Sequence, residues 1–412
     1  MGQVLSPKLE HMLREQQITE TEPGTILHDF EAFLEFIATN QIITSGKNHL
    51  LPLACLALLN ARMAQPIESR LKRPQQKSYP HLHGLYLLAR ATGLMRVQKH
   101  RKDAVLVVDG ATMESWLGLN HTERYFALLE AWFNRASLEM VGERSGWGEG
   151  MQSECLMIWQ RIPEKGLKID KSLEQSVPYW GLHNLALLEM FGLLRIMHGK
   201  PQQDKGWVID RIERTGFGGA LLSLIAGSRS IEERLADLFR EDDEEASGEV
   251  VFNAYQELLQ PYFPEWQHSL TLPSEDEFRD GVFIFKVSLG KPWRRIAIPA
   301  ALTLSSLASE ILDAFDFEHD HLHCFEYKDR FGLITRVNHP YMDESPFTDE
   351  VKVGEVPLQP GEAMRYVFDF GDNWQFKVEL ESIDPPNRSM KHPEVIESHG
   401  KAPQQYRDWS SD

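Results

Sequence analysis

Three histidines alternate with other residues in the segment HDHLHCFEY, residues 319–327. Imidazole, carboxylate and thiol groups are ligands of zinc and of other transition metals, so this segment could hold such an ion. If the segment is a strand, however, the histidines share one face and can equally be ordinary hydrogen-bonding groups on a polar sheet. We predict the polar face and no bound metal or other cofactor. The candidate ligands, if a metal is bound, are His319, His321 and His323.

Two aspartates in the motif FDFGDNW could act in acid–base catalysis. Asp369 and Asp372 could exchange protons with a substrate, or could bind Mg²⁺ together with Glu379. The same residue types, Asp, Gly and Asn, are those that a tight hairpin turn requires. We predict the turn, and a metal-dependent hydrolase or nuclease remains an alternative.

A basic segment stands out in this acidic protein. The 412 residues carry a formal net charge of −18, yet residues 65–102 contain nine basic side chains and one acid, Glu68. Such a local excess of positive charge favours a polyanionic partner, such as nucleic acid. The basic residues are Arg70, Lys72, Arg73, Lys77, Arg90, Arg96, Lys99, Arg101 and Lys102.

The elements around the basic segment follow the order of a winged helix-turn-helix unit. Helical spacing predicts helices over residues 26–39 and 50–63, and a third helix that begins near Pro80, with Ser78 as its cap, and ends at Gly93. Two short strands, LMRV (94–97) and VLVVD (105–109), then form a hairpin. The third helix therefore occupies the place of the helix that reads DNA.

This placement predicts a role for each group of basic residues. Side chains ahead of the third helix would contact phosphates, and those of the hairpin turn would reach the adjacent backbone or the minor groove. Helix residues off the apolar stripe could approach base edges. The phosphate contacts are Arg70, Lys72, Arg73 and Lys77, the turn residues are Lys99, Arg101 and Lys102, and the base-reading candidates are His81, His83 and Arg90.

The same order of elements returns about one hundred residues later, which predicts two diverged copies of one unit. The second copy has Lys200 and Lys205 in its hairpin turn, but the stretch ahead of its helix is nearly neutral. Only the first copy is therefore suited to phosphates. The matching positions are Pro80 and Pro178, Gly93 and Gly192, and Arg96 and Arg195.

Composition limits the remaining possibilities. With 42% hydrophobic and 25% charged residues the chain is globular. It has no uninterrupted apolar run of membrane-spanning length and no signal-peptide pattern, so we expect a cytoplasmic protein without a membrane partner. Three cysteines, odd in number and far apart, predict buried thiols and no disulfide framework. They are Cys55, Cys155 and Cys324.

Charge and pattern divide the chain into four predicted domains. The run EDDEEASGE, residues 241–249, has six acids among nine residues and is typical of a solvated linker, although it could also fold over the basic segment and compete with nucleic acid. The predicted domains are a helical domain with the first winged-helix-like unit (1–136), the second such unit (137–240), an acidic linker with a connecting helix (241–277) and an α+β domain (278–412).

The last of these domains carries recognisable motifs. VFIFKVSLG (282–290) and KPWRRIAIPA (291–300) predict strands, SLASEILDAFDF (306–317) predicts a helix, and MRYVFDFGDNWQFKVELESI (364–383) predicts a hairpin that turns at Gly371 and Asp372. Together with HLHCFEY and GKAPQQY (400–406), this combination resembles the plasmid pRiA4b ORF-three-like family, whose relatives include passenger proteins of insertion elements. The resemblance spans residues 278–409.

The resemblance implies a compact α+β domain and a link with mobile elements, and it brings no established activity. Where the family usually has an acidic tail with cysteine and glycine, this chain has Gln404, Gln405 and Tyr406. In the KPWRRI motif an arginine could stack on the tryptophan to form a binding platform, but we predict an internal ion pair with a carboxylate. The family-motif residues are Trp293, Arg294, Arg295, His323, Asp369, Gly371, Asp372 and Trp374.

The sequence thus predicts an α+β protein with a mainly helical N-terminal part, which contains two winged-helix-like units, and a compact α+β C-terminal domain. We expect a non-enzymatic protein that binds DNA or another nucleic acid and is associated with a plasmid or mobile element. Two alternatives stay open: a protein–protein adaptor built on the same domains, and the hydrolase or nuclease described above.

Overall fold

In a computed structural model the described residues are 6–46, 48–100, 103–143, 150–228, 250–272 and 278–406. They form two compact units, one drawn mostly from residues 1–273 and the other mostly from residues 274–412. Helices and sheets are both present, as the sequence predicts. Some predicted features lie outside the described part of the chain: Arg101, Lys102, the side chain of Lys99 and the acidic segment 241–249.

The first unit begins with a helix that is followed by a helix–strand–helix–helix–hairpin pattern. The three strands of this pattern are ordered β1-β3-β2, with Ile42 opposite Leu106 in an antiparallel pair. The elements are α1 (Pro7–Glu15), α2 (Ile26–Thr39), β1 (Ile42–Ile43), α3 (Leu53–Asn60), α4 (Pro80–Ala91), β2 (Met95–His100) and β3 (Asp103–Val108).

The same pattern then occurs a second time, after two intervening helices. The second sheet has the strand order β4-β6-β5, which is equivalent to the order β1-β3-β2 of the first sheet. In it Leu167 lies opposite Ile212. The intervening helices are α5 (Gly110–Leu117) and α6 (His121–Glu130). The second pattern consists of α7 (Met151–Arg161), β4 (Leu167–Lys168), α8 (Lys171–Glu174), α9 (Leu182–Met190), β5 (Leu194–His198) and β6 (Ile209–Arg214), and α10 (Gly216–Ser228) follows it.

The third helix of the first pattern begins at Pro80, as predicted, but without the predicted cap, and that of the second pattern begins later than predicted. The N-cap of α4 is Tyr79, and the Ser78 hydroxyl accepts a hydrogen bond from the Gln75 N–H at 3.0 Å, so Ser78 does not cap the helix. In the second pattern Pro178 lies within a 3₁₀ turn (Val177–Trp180), and α9 starts only after Gly181, whose φ of 76° interrupts the helical path. Both helices end near a glycine in the left-handed conformation, as predicted: Gly93 and Gly192.

Helices α4 and α9 pack directly against each other. Gly84 permits the approach, because a Cβ at this position would lie 2.7 Å from Leu187 Cγ, and Leu187 is fully buried. Beside this contact the rings of His83 and His183 meet edge to face at 5.7 Å. The two patterns are therefore joined through their third helices.

Helix α6 supports this pair from one side. The Asn120 side chain accepts from the Glu123 N–H while Glu123 accepts from the Asn120 N–H, a capping box that sets the helix start that the sequence predicts. The helix continues into a π-helical turn at Ala131–Arg135. The Tyr125 hydroxyl donates to the Phe191 carbonyl at 2.7 Å, which ties α6 to the end of α9.

Residues 250–272 pack along α6 within the first unit. They contain β7 (Val250–Val251), α11 (Gln256–Leu259) and β8 (Thr271–Leu272). The Tyr255 N–H donates to Glu130 Oε1 at 2.7 Å, and the Trp266 ring stacks on Phe126 at 4.5 Å. The predicted connecting segment is thus anchored by both polar and aromatic contacts.

The second unit is a seven-stranded antiparallel sheet with one helix. Its strand order is β12-β11-β13-β14-β9-β10-β15, and the two predicted strands β9 and β10 are neighbours, with Arg295 opposite Lys286. Its core lies between the sheet and the helix, whose buried residues include Leu307, Ile311 and Phe315. The elements are β9 (Val282–Ser288), β10 (Trp293–Pro299), α12 (Leu304–Phe315), β11 (His323–Lys328), β12 (Ile334–Asn338), β13 (Ala363–Phe368), β14 (Trp374–Asp384) and β15 (Glu394–His399).

Two further predictions concern the whole chain. Cys155 and Cys324 are buried, Cys55 is half-buried, and all three thiols are free of disulfide bonds. In the ranges that the structure describes, no helix has both the length and the apolar character needed to cross a membrane.

Glu130 should make the stability of the first unit depend on pH. Burial raises its pKa to about 7, although backbone N–H groups of Tyr255 and Ala254 partly oppose the shift. Because the folded state holds this proton more tightly than the unfolded state, the stability from Glu130 is greatest at low pH and is lost as pH rises through about 7. Glu130→Gln keeps an oxygen acceptor but has no carboxyl group that can titrate. Between pH 5 and pH 8 its free energy of unfolding should therefore rise by about 2 kcal/mol relative to that of the native protein.

Urea unfolding at the two pH values measures this difference. The matched control is Glu257→Gln, at an exposed position of the same segment, which should keep the native pH profile. Parallel profiles for the native protein and Glu130→Gln would contradict the prediction.

Candidate functional site

The four basic residues predicted to contact phosphates are exposed on the chain between α3 and α4. This stretch lies beside the β5–β6 turn of the second pattern: the Arg70 N–H donates to the Lys205 carbonyl at 2.9 Å, and the Asp204 N–H donates to the Arg70 carbonyl at 3.3 Å. The structure therefore places two basic stretches side by side, although they are far apart in the sequence. The predicted residues concerned are Arg70, Lys72, Arg73 and Lys77.

We call the combined set the basic surface. The turn adds Lys200, which is exposed, and Lys205, which is half-buried and forms an ion pair with Glu174. Lys72 lies 3.4 Å from Asp204, and both side chains are largely exposed, so this pair holds the lysine only weakly. The basic surface consists of Arg70, Lys72, Arg73, Lys77, Lys200 and Lys205.

The prediction that α4 reads base edges is wrong. All twelve residues of α4 are buried, including His81, His83 and Arg90, which are each no more than 5% exposed. The apolar stripe indicated one buried face, but α9 and other parts of the first unit cover the rest of the helix. A helix covered on all sides cannot enter a DNA groove.

The N-terminal ends of α4 and α9 open onto a cavity of about 510 Å³, which we call the interhelical cavity. Sequence reasoning did not identify it, although the repeated dipeptide Leu-His at 82–83 and 182–183 was an available signal. Its polar and aromatic lining consists of Lys77, His83, Glu143, Glu154, Arg161, Tyr179, Trp180 and His183.

The two histidines of the interhelical cavity are neutral at pH 7. Gln76 uses its oxygen to accept from the Leu51 N–H and its amide nitrogen to donate to His83 Nδ1 at 3.1 Å, so the proton of the neutral His83 ring lies on Nε2. Burial, with a smaller contribution from nearby His83, lowers the pKa of His183 to about 3, and burial also lowers the pKa of His83. His183 Nε2 is buried without a hydrogen-bond partner among the described residues.

In the second unit the three predicted metal candidates are not aligned on a strand. Strand β11 begins only at His323, so His319 and His321 lie in the preceding loop, and the prediction of one shared strand face is wrong. The loop arises because α12 ends at Asp316, whose φ of 58° turns the chain away from the helix axis. Pairing with β13 starts at His323, opposite Phe368.

Each of these histidines has its own partner. His319 Nε2 lies 2.9 Å from Asp313, His321 Nε2 lies 3.5 Å from Asp369, and His323 Nε2 lies 3.3 Å from the Thr348 hydroxyl. Burial lowers the pKa of His323 to about 3, and nearby histidines contribute. They line a cavity of about 350 Å³ together with His339. Within the described residues, however, no three histidine, cysteine or acidic side chains are arranged to hold a metal ion.

The aspartates of FDFGDNW form the predicted hairpin turn between β13 and β14. The Asp369 carboxylate accepts hydrogen bonds from the N–H groups of Gly371 at 2.9 Å and Asp372 at 3.3 Å, and its backbone φ is 54°. Trp374 follows the turn and packs edge-on against Phe317 at 5.1 Å. Glu379 lies opposite Ala363, five residues along β14 from Trp374, so it is distant from the turn and cannot complete a magnesium site there.

The KPWRRI arginines have different roles. Arg295 pairs with Glu381 at 2.6 Å and also with Glu397, which confirms the expected ion pair, while its guanidinium lies 5.3 Å from the Trp293 ring centroid. Arg294 is buried and donates to the carbonyls of Ala314 at 2.7 Å, His399 at 3.1 Å and Gly400 at 3.2 Å. Arg294 thus joins α12, β10 and the end of β15.

Replacing Arg294 should destabilise the second unit more than replacing Arg295. Arg294→Lys cannot reproduce a planar donor set that reaches several carbonyls, so it should cost about 2 kcal/mol or more. Arg295→Lys, the matched control on the same strand, should cost clearly less than Arg294→Lys, because its ion pairs are partly exposed. Hydrogen exchange of peptides from β10 and α12 measures the loss of stability in both variants. Equal protection in the two variants would contradict this assignment.

Known proteins resemble part of this chain. No curated protein matches the chain. One similar solved structure is that of a protein of unknown function from Methanosarcina mazei Go1, which is 29% identical, covers 30% of this chain and 71% of its own, and gives a TM-score of 0.28. Residues 282–406 match the family model of the plasmid pRiA4b ORF-3-like proteins, which confirms for this C-terminal region the resemblance that its motifs carry.

Proposed function

We propose that this protein binds nucleic acid, most readily DNA, without enzymatic activity, and that it contacts phosphates through the basic surface. The observation that carries the proposal is the pairing of residues 70–77 with the β5–β6 turn, which gathers six cationic side chains in a protein of net charge −18. Association with a plasmid or mobile element is part of the proposal and rests on the family match of residues 282–406.

The proposal includes two winged-helix units, one for each occurrence of the pattern in the first unit. Support comes from the order helix, strand, helix, helix and hairpin, and from the equivalent strand orders β1-β3-β2 and β4-β6-β5. We also retain the predicted division of the chain at 136, 240 and 277. Because α4 is buried, we propose binding to the phosphate backbone with little dependence on base sequence.

A salt series of duplex DNA binding tests this function. The native affinity should fall steeply between about 50 and about 200 mM salt, because each neutralised phosphate releases condensed counterions. The variant with Arg70, Lys72, Arg73 and Lys77 all changed to Gln should bind about 100-fold more weakly, and the slope of log affinity against log salt should decrease by about three. Duplexes of unrelated sequence should behave alike.

The matched control removes four exposed cations from the second unit: Lys291, Arg388, Lys391 and Lys401 are changed to Gln. It should retain the native affinity and salt slope. Fluorescence anisotropy of a labelled duplex measures both quantities. If the first variant binds DNA as the native protein does, with the same salt slope, the proposed function is wrong.

A protein–protein adaptor is the second candidate, and it is favoured by the surface of α3. Leu53 and Leu58 are 59% and 64% exposed, and Ala54 and Ala57 beside them are exposed as well. This helix therefore presents an apolar face, which is typical of interaction surfaces. A partner that stays bound to the native protein at high salt, and is lost from a Leu53→Gln, Leu58→Gln variant, would support the adaptor. Retention of the same partner by this variant would exclude the α3 face.

A further inference from the structure

The interhelical cavity has the size of a small-molecule site. Its volume of about 510 Å³ lies within the range of cavities that bind cofactors and drug-sized ligands. All of its lining residues belong to the first unit, and they come from both occurrences of the repeated pattern. A ligand there would contact the two halves of the repeat at once.

One helix end gives the cavity an anion-binding character. The N-terminal turn of α9 contributes Leu182 and His183 to its lining, and this helix has no side-chain hydrogen bond at its N-cap. Backbone N–H groups at such ends carry partial positive charge and bind phosphate or carboxylate oxygens. At the start of α4, by contrast, Pro80 has no N–H and the His83 N–H donates to the Tyr79 carbonyl at 2.9 Å. Lys77 and Arg161 add two full positive charges to the same cavity.

A buried atom without a hydrogen-bond partner gives the cavity a place where a ligand can bind. His183 is 9% exposed and lines the cavity, and its Nε2 has no hydrogen-bond partner in the described ranges. Buried polar atoms in folded proteins almost always have partners, so an orphan beside a cavity is a place where a ligand can form a new hydrogen bond. His83, in edge-to-face contact with His183, carries its proton on Nε2 and is a second possible donor.

The remaining lining residues distinguish a nucleotide from a simple anion. Glu143 and Glu154 balance the charges of Lys77 and Arg161, so inorganic phosphate would gain little from the cavity as a whole. Glu154 accepts from the Asn184 amide at 2.9 Å, whereas the Glu143 side chain is exposed and can accept from hydroxyl or amino groups. Trp180, with the Arg161 guanidinium 5.7 Å from its ring centroid, provides an aromatic surface.

We propose that the interhelical cavity binds a nucleoside monophosphate. The phosphate lies at the N-terminal end of α9, close to Lys77 and Arg161. The planar base packs against Trp180, where stacking does not require a particular base. The hydroxyl or amino groups of the ligand donate to Glu143. This site is independent of the proposed nucleic-acid binding, and only Lys77 belongs both to this site and to the basic surface.

Calorimetric titration of the full chain with AMP, GMP, CMP and UMP tests the proposal. At least one of them should bind with a dissociation constant below about 1 mM, and inorganic phosphate and the matching nucleoside should each bind at least about 10-fold more weakly. Arg161→Gln, a change at the exposed end of α7, should weaken nucleotide binding about 10-fold or more, because a charge-assisted hydrogen bond is lost. Trp180→Ala should also weaken it.

The control variant is Arg73→Gln, which lies in the basic surface and does not line the cavity. It should leave nucleotide binding unchanged while it weakens binding to duplex DNA, and Arg161→Gln should do the reverse, so the two functions can fail separately. Thermal unfolding confirms that each variant is folded. The proposal is wrong if no nucleotide binds up to about 10 mM, if phosphate binds as tightly as the nucleotides, or if Arg161→Gln binds them as the native protein does.

Discussion

Helices α4 and α9 approach closely because Gly84 has no side chain where Leu187 packs, and most features of the first unit depend on this contact. It covers one side of α4, whose other sides are covered by further parts of the first unit, and it places His83 against His183. It also brings the two N-terminal helix ends to one cavity. A side chain at position 84 would have to displace a leucine that is itself fully buried. The lack of a side chain at this position therefore determines, together with packing, how close the two helices lie.

The same contact determines which charged groups remain on the surface. Joining the two copies through their third helices brings the stretch 70–77 of the first beside the β5–β6 turn of the second, where Arg70 and Lys205 are connected by a backbone hydrogen bond. The basic surface is therefore a product of the repeat and not of one copy alone. Its lysines and arginines are mostly exposed, whereas the basic residue within α4, Arg90, is buried. Such a surface can contact phosphates, whereas the buried helix α4 cannot contact base edges.

Local sequence patterns predicted helices, strands and turns correctly where residues close in the sequence determine the structure. The alternation in 282–290 and 291–300 predicted β9 and β10, and the residue types of FDFGDNW predicted a turn whose geometry depends on the Asp369 carboxylate. The His319 to His323 alternation failed, because the start of β11 is set by its pairing with Phe368, more than forty residues away. The complete burial of α4 also depends on distant residues, although its composition, with Arg90 as the one charged residue among twelve, was a usable signal.

The burial of the third helices has a further physical consequence. In a winged-helix unit the third helix usually offers its exposed face to DNA, and here the two candidate faces cover each other. The N-terminal end of α9 remains partly accessible, because Gly181 and Leu182 are only half-buried and line the interhelical cavity. Lys77 and Arg161 line the same cavity. In our proposals, the repeat of two winged-helix units has lost base reading by α4 and keeps two places for phosphate groups, an extended one on the basic surface and an enclosed one in the interhelical cavity.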